Sequence, residues 1–121
     1  MLTFIGLKSC DTCRKARRHL DNAGLEYRYI DVKADGLDTA TLTQLIEALG
    51  VDTLINRRST TWRQLDDTEK ARLADNDTQA AIELLSTHPS LMKRPVLTGP
   101  NVDARAGYLA DDYDTLIDHI P

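Results

Sequence analysis

The chain has 121 residues, 41% of them hydrophobic and 28% charged, and its formal net charge at pH 7 is -4. This size and composition are typical of one globular domain whose hydrophobic core needs neither a metal nor disulfides to hold it together. The acidic balance argues against nucleic acid as a partner, because phosphate binding needs a clustered basic surface. No apolar run approaches the length of a membrane span, so we expect no membrane association.

The first third of the sequence predicts a strand, a helix and a second strand. Residues 2–7 form an apolar run that indicates a buried strand. A helix that ends at Gly24 is then predicted by side chains at helical spacing, namely Cys13, Ala16, Leu20 and Ala23. Residues 25–32 predict the second strand, with Tyr27 and Tyr29 on one face.

The middle of the sequence, residues 36–90, predicts almost only helix. Gly50 is expected to end the first helix of this stretch, and Pro89 follows the last one. Glu69 completes a capping-box pattern at the start of another helix. Asp38 and Asp66 suit the N-caps of two of these helices, and residues 76–78 indicate the start of another.

The last quarter of the sequence predicts two strands and a helix. Residues 94–97 indicate entry into a buried strand, and residues 101–103 indicate a turn before a short edge strand around Ala104. The inward face of the final helix is predicted to consist of Tyr113, Leu116, Ile117 and Ile120.

The only cysteines, Cys10 and Cys13, stand two residues apart where the first predicted strand meets the first helix. A C-x-x-C at this junction indicates redox chemistry, and the chain shows no export signal, so we expect a cytoplasmic protein. Several α/β folds are compatible with the predicted order of strands and helices. The position of the cysteines favours one of them, a thioredoxin-like three-layer α/β fold with a mixed sheet of about four strands. We expect one domain, residues 1–121, with a helical insertion at approximately 36–90.

Cys10 is the candidate nucleophile, because a helix N-terminus favours the thiolate over the thiol. Cys13 has two possible roles. It lies one turn later and could resolve a Cys10 adduct, but it also shares an apolar stripe with Ala16 and Leu20, which favours a packed, inert thiol. We expect no metal site, since structural zinc needs four ligands and no second Cys/His pair is present. Positive potential that suits an anionic substrate comes from Lys8, Arg14 and Lys15.

The whole chain resembles the arsenate reductase-like (ArsC/Spx) family, most closely its small bacterial YffB-type members. The resemblance is carried by CDTCRKARR at 10–18, YRY at 27–29, DGL at 35–37, NRRSTTWR at 56–63 and KRP at 93–95. It implies a thiol-disulfide reductase that needs no bound cofactor and uses glutathione as co-substrate, acting as a monomer on a small thiol, disulfide or oxyanion.

The resemblance also implies roles for individual residues. The family's nucleophile falls on Cys10, its arginine before proline on Arg94, and a second arginine on Arg58. Both guanidinium groups are expected to bind a carboxylate or oxyanion, which their planar fork matches with two hydrogen bonds. The proline opposite the cysteine in thioredoxin-like proteins is cis, so we expect a cis bond before Pro95.

Two alternative functions use the same cysteine. Arsenate reduction needs a further arginine beyond the proline strand, where this sequence has Gly107; Arg105 is close but does not match the motif. An Spx-type regulator would sense oxidation through the C-x-x-C and bind the RNA polymerase α subunit. Spx-like chains continue into a basic tail after the last helix, whereas this sequence ends at Pro121, and we therefore rank thiol reduction first.

Overall fold

A computed structural model describes residues 1–120. The strands are β1 (Leu2–Gly6), β2 (Tyr27–Asp31), β3 (Val96–Gly99) and β4 (Val102–Ala106). The helices are α1 (Asp11–Asn22), α2 (Thr39–Leu49), α3 (Val51–Leu54), α4 (Thr60–Gln64), α5 (Asp67–Ala74), α6 (Thr78–Thr87) and α7 (Ala110–Asp118). None of the helices within residues 1–120 is both long enough and apolar enough to cross a membrane.

The chain forms two compact units. The first consists of Met1–Asp31 and the chain from Arg94 onward, and the second is Val32–Lys93. The assignment of residues 1–121 to one domain with an insertion at about 36–90 stays a prediction.

The four strands of the first unit form one mixed sheet in the order β2-β1-β3-β4. β1 is parallel to β2 and antiparallel to β3, and β3 is antiparallel to β4. Because α1 connects two parallel neighbouring strands, it crosses one face of this sheet. The arrangement is the thioredoxin-like α/β fold, which confirms the fold class that the sequence predicts.

The core of the first unit lies between the sheet and the helices α1 and α7. Alternate residues of the strands face it, since side chains along a strand point to opposite faces in turn. Its buried side chains are Leu2, Phe4, Cys13, Ala16, Leu20, Leu97, Tyr113 and Leu116. Each fully buried large apolar side chain contributes roughly 1.5–3 kcal/mol relative to an exposed one. Gly24 follows the helix with φ +73°, a conformation that costs glycine little, so α1 ends where predicted.

The second unit holds the helices α2 to α6. The predicted caps Asp38 and Asp66 are confirmed, because each accepts a backbone N–H at 2.7 Å, from Thr41 and Glu69 respectively. The helix predicted to begin at residues 76–78 is capped by Asp77, which accepts the N–H of Ala80 at 3.0 Å. The Glu69 carboxylate in turn accepts the N–H of Asp66 at 3.0 Å, so the predicted capping box is confirmed.

One predicted turn is misplaced. The sequence indicates a turn at residues 101–103, but Val102 and Asp103 already belong to β4. Asn101 takes a left-handed φ of +60°, which asparagine tolerates better than most residues, and the turn therefore ends two residues earlier than predicted. The β-branched Val102 is then free to begin the strand.

Candidate functional site

Cys10 is the N-cap residue of α1. The half-buried Cys10 sulfur accepts a hydrogen bond from the backbone N–H of Cys13 at 3.5 Å. The backbone N–H of Cys10 donates to the carbonyl of Leu7 at 3.1 Å. The first turn of a helix has backbone N–H groups without helical partners, and one of them, that of Cys13, donates to the Cys10 sulfur. This geometry favours an anionic sulfur at Cys10.

Opposing effects act on the Cys10 thiol. Burial raises its pKa, whereas the backbone N–H of Cys13, the Cys13 thiol and the charge and hydrogen bonding of Arg94 lower it, and the net result is a pKa below the ordinary value. Arg94 is therefore close enough to stabilise the thiolate directly. The sulfur is partly exposed and more easily ionised than a free cysteine, as a nucleophile requires.

Arg94 reaches this position at the entry to β3. The peptide bond between Arg94 and Pro95 is cis, the isomer that the resemblance leads us to expect. Pro95 is buried, and its carbonyl accepts the N–H of Gly107 at 2.7 Å. The predicted residues Cys10, Arg94 and Pro95 all belong to the first unit.

Cys13 lies in a different environment, although only two residues separate it from Cys10. Its side chain is 1% exposed and belongs to the core cluster, and burial raises the pKa of its thiol to about 12. A Cβ atom at Gly6 would lie 3.0 Å from Cys13 Sγ, so the sulfur packs directly over the glycine backbone. Of the two roles left open by the sequence, this environment favours packing.

The two predicted basic residues nearest Cys10 have different partners. Lys8 is exposed, and its backbone N–H donates to a carboxylate oxygen of Asp31 at 3.2 Å. The Arg14 guanidinium pairs with the carboxylate of Asp11, and both side chains are largely exposed. An exposed ion pair of this kind is weak, so Arg14 can exchange Asp11 for another anion at little cost.

Asp31 is a residue that the sequence analysis missed. It is 5% exposed and lies at the end of β2, where it accepts the N–H of Lys8 and lies 3.5 Å from the Tyr29 hydroxyl oxygen. It thus holds the loop that leads from β1 to Cys10. The sequence offers one signal for this role, an acidic residue at the carboxyl end of a strand parallel to β1.

Arg58 belongs to the second unit and precedes α4. Its side chain is exposed, and its backbone N–H donates to Asn56 Oδ1 at 3.0 Å. Ser59 caps the helix by accepting the N–H of Trp62 at 3.1 Å. The anion-binding role of Arg58 stays a prediction.

Arg105 is engaged elsewhere. Its guanidinium donates to the carboxylate of Asp112 at 2.9 Å, and its side chain is 20% exposed. The pair joins β4 to α7, so this arginine has a structural partner of its own. Within residues 1–120, no three His, Cys, Asp or Glu side chains are grouped as a metal site would require.

Comparisons with known proteins identify relatives of this chain in sequence and in fold. The ArsC family model matches residues 5–116. An uncharacterised protein of Haemophilus influenzae is 42% identical over 97 residues, 80% of this chain and 82% of its own length. The solved structure of the YFFB protein has 38% identity and a TM-score of 0.87, covering 97% of this chain and 99% of that one. The global transcriptional regulator Spx of Streptococcus pyogenes is 28% identical over 123 residues, 93% of this chain and 88% of its own length.

Proposed function

Because the chain belongs to the ArsC family, we propose that it is a thiol-disulfide reductase with Cys10 as its nucleophile. The observation that carries this proposal is the Cys10 sulfur at the N-cap of α1, with its pKa lowered by backbone N–H and Arg94 contacts that outweigh its burial. A thiolate is the species that attacks disulfides, and its fraction at neutral pH rises as its pKa falls. A cytoplasmic setting is part of the proposal, because reducing thiols are abundant there.

Glutathione is the electron donor in this proposal. The Cys10 thiolate attacks a mixed disulfide between glutathione and a small thiol at the glutathione sulfur. A Cys10–glutathione disulfide forms, and the small thiol leaves as a thiolate and takes up a proton. A second glutathione, as its thiolate, then attacks the glutathione sulfur of this adduct, which yields glutathione disulfide and restores the Cys10 thiolate. In the net reaction one glutathione thiol is consumed, and its sulfur passes from the thiol to the disulfide level while the sulfur of the small thiol passes from the disulfide to the thiol level. The glutathione sulfur of the substrate stays at the disulfide level in glutathione disulfide.

In this scheme Cys13 is not required as a resolving thiol. Its pKa of about 12 leaves almost no thiolate at neutral pH, and its sulfur is enclosed by the core. Instead, the Cys13 thiol donates a hydrogen bond that helps to stabilise Cys10 in its anionic form. We expect Cys13→Ala to keep glutathione-driven turnover within about threefold of the wild type.

Arg94 is the proposed partner for negative charge on the bound substrate and for the thiolate that departs. A guanidinium offers several N–H donors, so it can contact Cys10 and an incoming anion together. Arg58, Lys8 and Arg14 are proposed as further anion contacts. Their exposure makes the expected contribution of each to binding small.

The direct test is steady-state reduction of a glutathione mixed disulfide by three proteins. Wild type and Cys13→Ala should both turn over, and Cys10→Ser should fall to the uncatalysed rate, because serine provides no comparable nucleophile at neutral pH. Circular dichroism of each variant controls for folding. Equal rates for wild type and Cys10→Ser would refute the proposal.

Arsenate reduction is the second candidate, since it would use the same Cys10 and Arg94. The pairing of Arg105 with Asp112 argues against it, because the one arginine near the third-anchor position is already occupied. We expect little arsenate turnover when glutathione and a glutaredoxin are supplied. Turnover of arsenate that matches the disulfide activity would reverse this ranking.

An Spx-type regulatory role is the third candidate, supported by the C-x-x-C and by the similarity to Spx. It would require a disulfide between Cys10 and Cys13, and the burial of Cys13 opposes this. We expect no specific retention of the protein on immobilised RNA polymerase α subunit, with Spx itself as the positive control. Retention comparable to that of Spx would place regulation first.

A further inference from the structure

An open cleft of about 320 Å³ lies along α1, outside the cysteine site. Its lining residues are Lys15, Arg18, His19, Asn22 and Tyr108. Four of the five come from successive turns of one helix, where residues three and four apart are neighbours. The fifth is contributed by the segment that joins β4 to α7. The cleft is thus a strip of helix surface with one aromatic wall.

The wall of the cleft is fixed by a chain of hydrogen bonds. The Tyr108 hydroxyl oxygen lies 2.7 Å from His19 Nδ1, and His19 Nε2 lies 2.7 Å from a carboxylate oxygen of Asp114. The Tyr108 ring also meets the fully buried ring of Tyr113 edge-on, with 4.8 Å between centroids. Tyr108 therefore has a defined position, and the Asp114 charge is directed to His19.

The two cations of the cleft differ from their neighbours on α1. Arg14 pairs with Asp11, and the Arg17 guanidinium lies 4.1 Å from the centre of the Tyr29 ring. Within residues 1–120, by contrast, neither Lys15 nor Arg18 forms an ion pair. The cleft therefore presents two unneutralised positive charges beside an uncharged amide and a hydroxyl group.

The cleft lies along the same helix that has the Cys10 sulfur at its N-cap. At 1.5 Å of rise per residue, Lys15 lies about 7.5 Å and Arg18 about 12 Å beyond Cys10 along the α1 axis. An extended tripeptide spans at most about 10 Å. The axial separation between Cys10 and Lys15 is therefore within the length of a short peptide, which can extend from Cys10 along α1 toward the cleft.

We propose that this cleft binds a carboxylate of the thiol or disulfide substrate while its sulfur reacts at Cys10. The proposal rests on the proposed reductase function and adds the part of the substrate that is recognised. Lysine and arginine form charge-assisted hydrogen bonds with carboxylates, and the Tyr108 hydroxyl and the Asn22 amide are polar groups beside them. The contact exists equally in the bound substrate and in the transition state, so it lowers KM and leaves kcat unchanged.

The kinetic test compares two substrates in four proteins, which are the wild type, two cleft variants and a control variant. The substrates are a glutathione mixed disulfide and the same compound with its carboxylates esterified. For the acid substrate, Arg18→Gln should raise KM about 2- to 5-fold, and Lys15→Gln/Arg18→Gln about 3- to 10-fold, with kcat unchanged. Arg28→Gln is the matched control for Arg18→Gln, because Arg28 is exposed on β2 and each change removes one positive charge. For the ester substrate, all these proteins should have similar KM values.

A binding test separates this proposal from the reductase function. Cys10→Ser protein is titrated with S-methylglutathione, which has the carboxylates but no reactive sulfur, and backbone amide shifts are followed by NMR. We expect shifts centred on residues 15–22 and on Tyr108, which disappear with the diester and in Lys15→Gln/Arg18→Gln. Such shifts would support the cleft even if the protein proved not to reduce disulfides. Turnover with equal KM values for both substrates and no shifts in these residues would overturn the cleft and leave the reductase function standing.

Discussion

At the residue scale, the proposed chemistry depends on the different environments of two identical side chains, Cys10 and Cys13. Cys10 has a partly exposed sulfur that contacts a backbone N–H and Arg94, whereas the Cys13 sulfur is enclosed by apolar groups. The sequence predicts the reactivity of Cys10, because a helix N-terminus is a local feature. It leaves Cys13 undecided, because the closeness of Gly6 to Cys13 depends on packing between β1 and α1.

The importance of Arg94 can be measured through the Cys10 pKa. Arg94→Gln removes a positive charge and a donor that lower this pKa, so we expect the pKa to rise. The rate of disulfide reduction at pH 7 should fall by about 3- to 30-fold, since each unit of pKa changes the thiolate fraction about tenfold. Arg94→Lys keeps the positive charge, so its Cys10 pKa and its rate of disulfide reduction should lie between those of the wild type and Arg94→Gln. An unchanged Cys10 pKa in Arg94→Gln would show that the guanidinium does not act on the thiol.

Asp31 shows the limit of sequence reasoning at this scale. Its burial and its bond to the Lys8 N–H follow from how β2 lies beside the loop after β1. A single aspartate at the end of a predicted strand is common, and neither composition nor periodicity distinguishes it. Only the assembled first unit reveals that it supports the loop before Cys10.

At the element scale, local signals are the ones that the sequence predicts well. The N-caps Asp38 and Asp66 act over three residues of the chain, so they can be identified without knowing the fold. The turn before β4 could not be placed as accurately, because its position depends on the register between β3 and β4. Anion binding by Arg58 likewise concerns tertiary structure and stays a prediction.

The capping aspartates predict how stability responds to acid. The backbone N–H groups that Asp38 and Asp77 accept lower the pKa of both carboxyls. Their stabilisation is complete above the unfolded pKa of about 3.9 and is lost as pH falls through the lower folded value. Asparagine also caps helices but does not titrate. We therefore expect Asp38→Asn/Asp77→Asn to be less stable than the wild type at pH 6, with a difference that shrinks toward pH 2.

Chemical denaturation at several pH values would measure this effect. Asp118→Asn, an exposed aspartate at the end of α7, is the charge-matched control for one site. A stability difference that stays constant from pH 6 to pH 2 would contradict the account of these caps.

The contact between β1 and α1 gives a second prediction at the element scale. An alanine at position 6 would place its Cβ 2.9 Å from Phe4 Cε1 and 3.0 Å from Cys13 Sγ. Overpacking of this kind costs about 1–3 kcal/mol, so Gly6→Ala should lower the free energy of unfolding by that amount. In the double variant Gly6→Ala/Cys13→Ala the sulfur is absent. Its loss of unfolding free energy should therefore be smaller than the summed losses of Gly6→Ala and Cys13→Ala. If the changes in unfolding free energy of the two single variants added exactly in the double variant, the Cys13 sulfur would not be the atom that a side chain at position 6 contacts.

At the scale of the whole molecule, a net charge of -4 coexists with a positive surface along α1. A local positive field in an acidic protein selects small anions and does not favour long polyanions. Salt screens such exposed charges, with a Debye length near 10 Å at 0.1 M ionic strength. Substrate binding should therefore depend on salt even though the chemical step does not.

Kinetics at different ionic strengths check this expectation. Between about 0.01 M and 0.3 M salt, KM for a glutathione mixed disulfide should rise several-fold while kcat stays constant. The esterified substrate, which carries no carboxylate, is the control and should show little change. A kcat that falls with salt while KM is constant would mean that these charges act on the reaction and not on binding.

The most direct measurement for the central claim is the pH dependence of alkylation of Cys10. Wild type is treated with iodoacetamide at a series of pH values, mass spectrometry reports each cysteine separately, and the urea-denatured protein gives the unperturbed reference. We expect Cys10 to react with a midpoint pH below that of the denatured protein, while Cys13 stays unmodified at neutral pH because its pKa is about 12. A Cys10 midpoint equal to or above the denatured value, or faster modification of Cys13 than of Cys10, would contradict it.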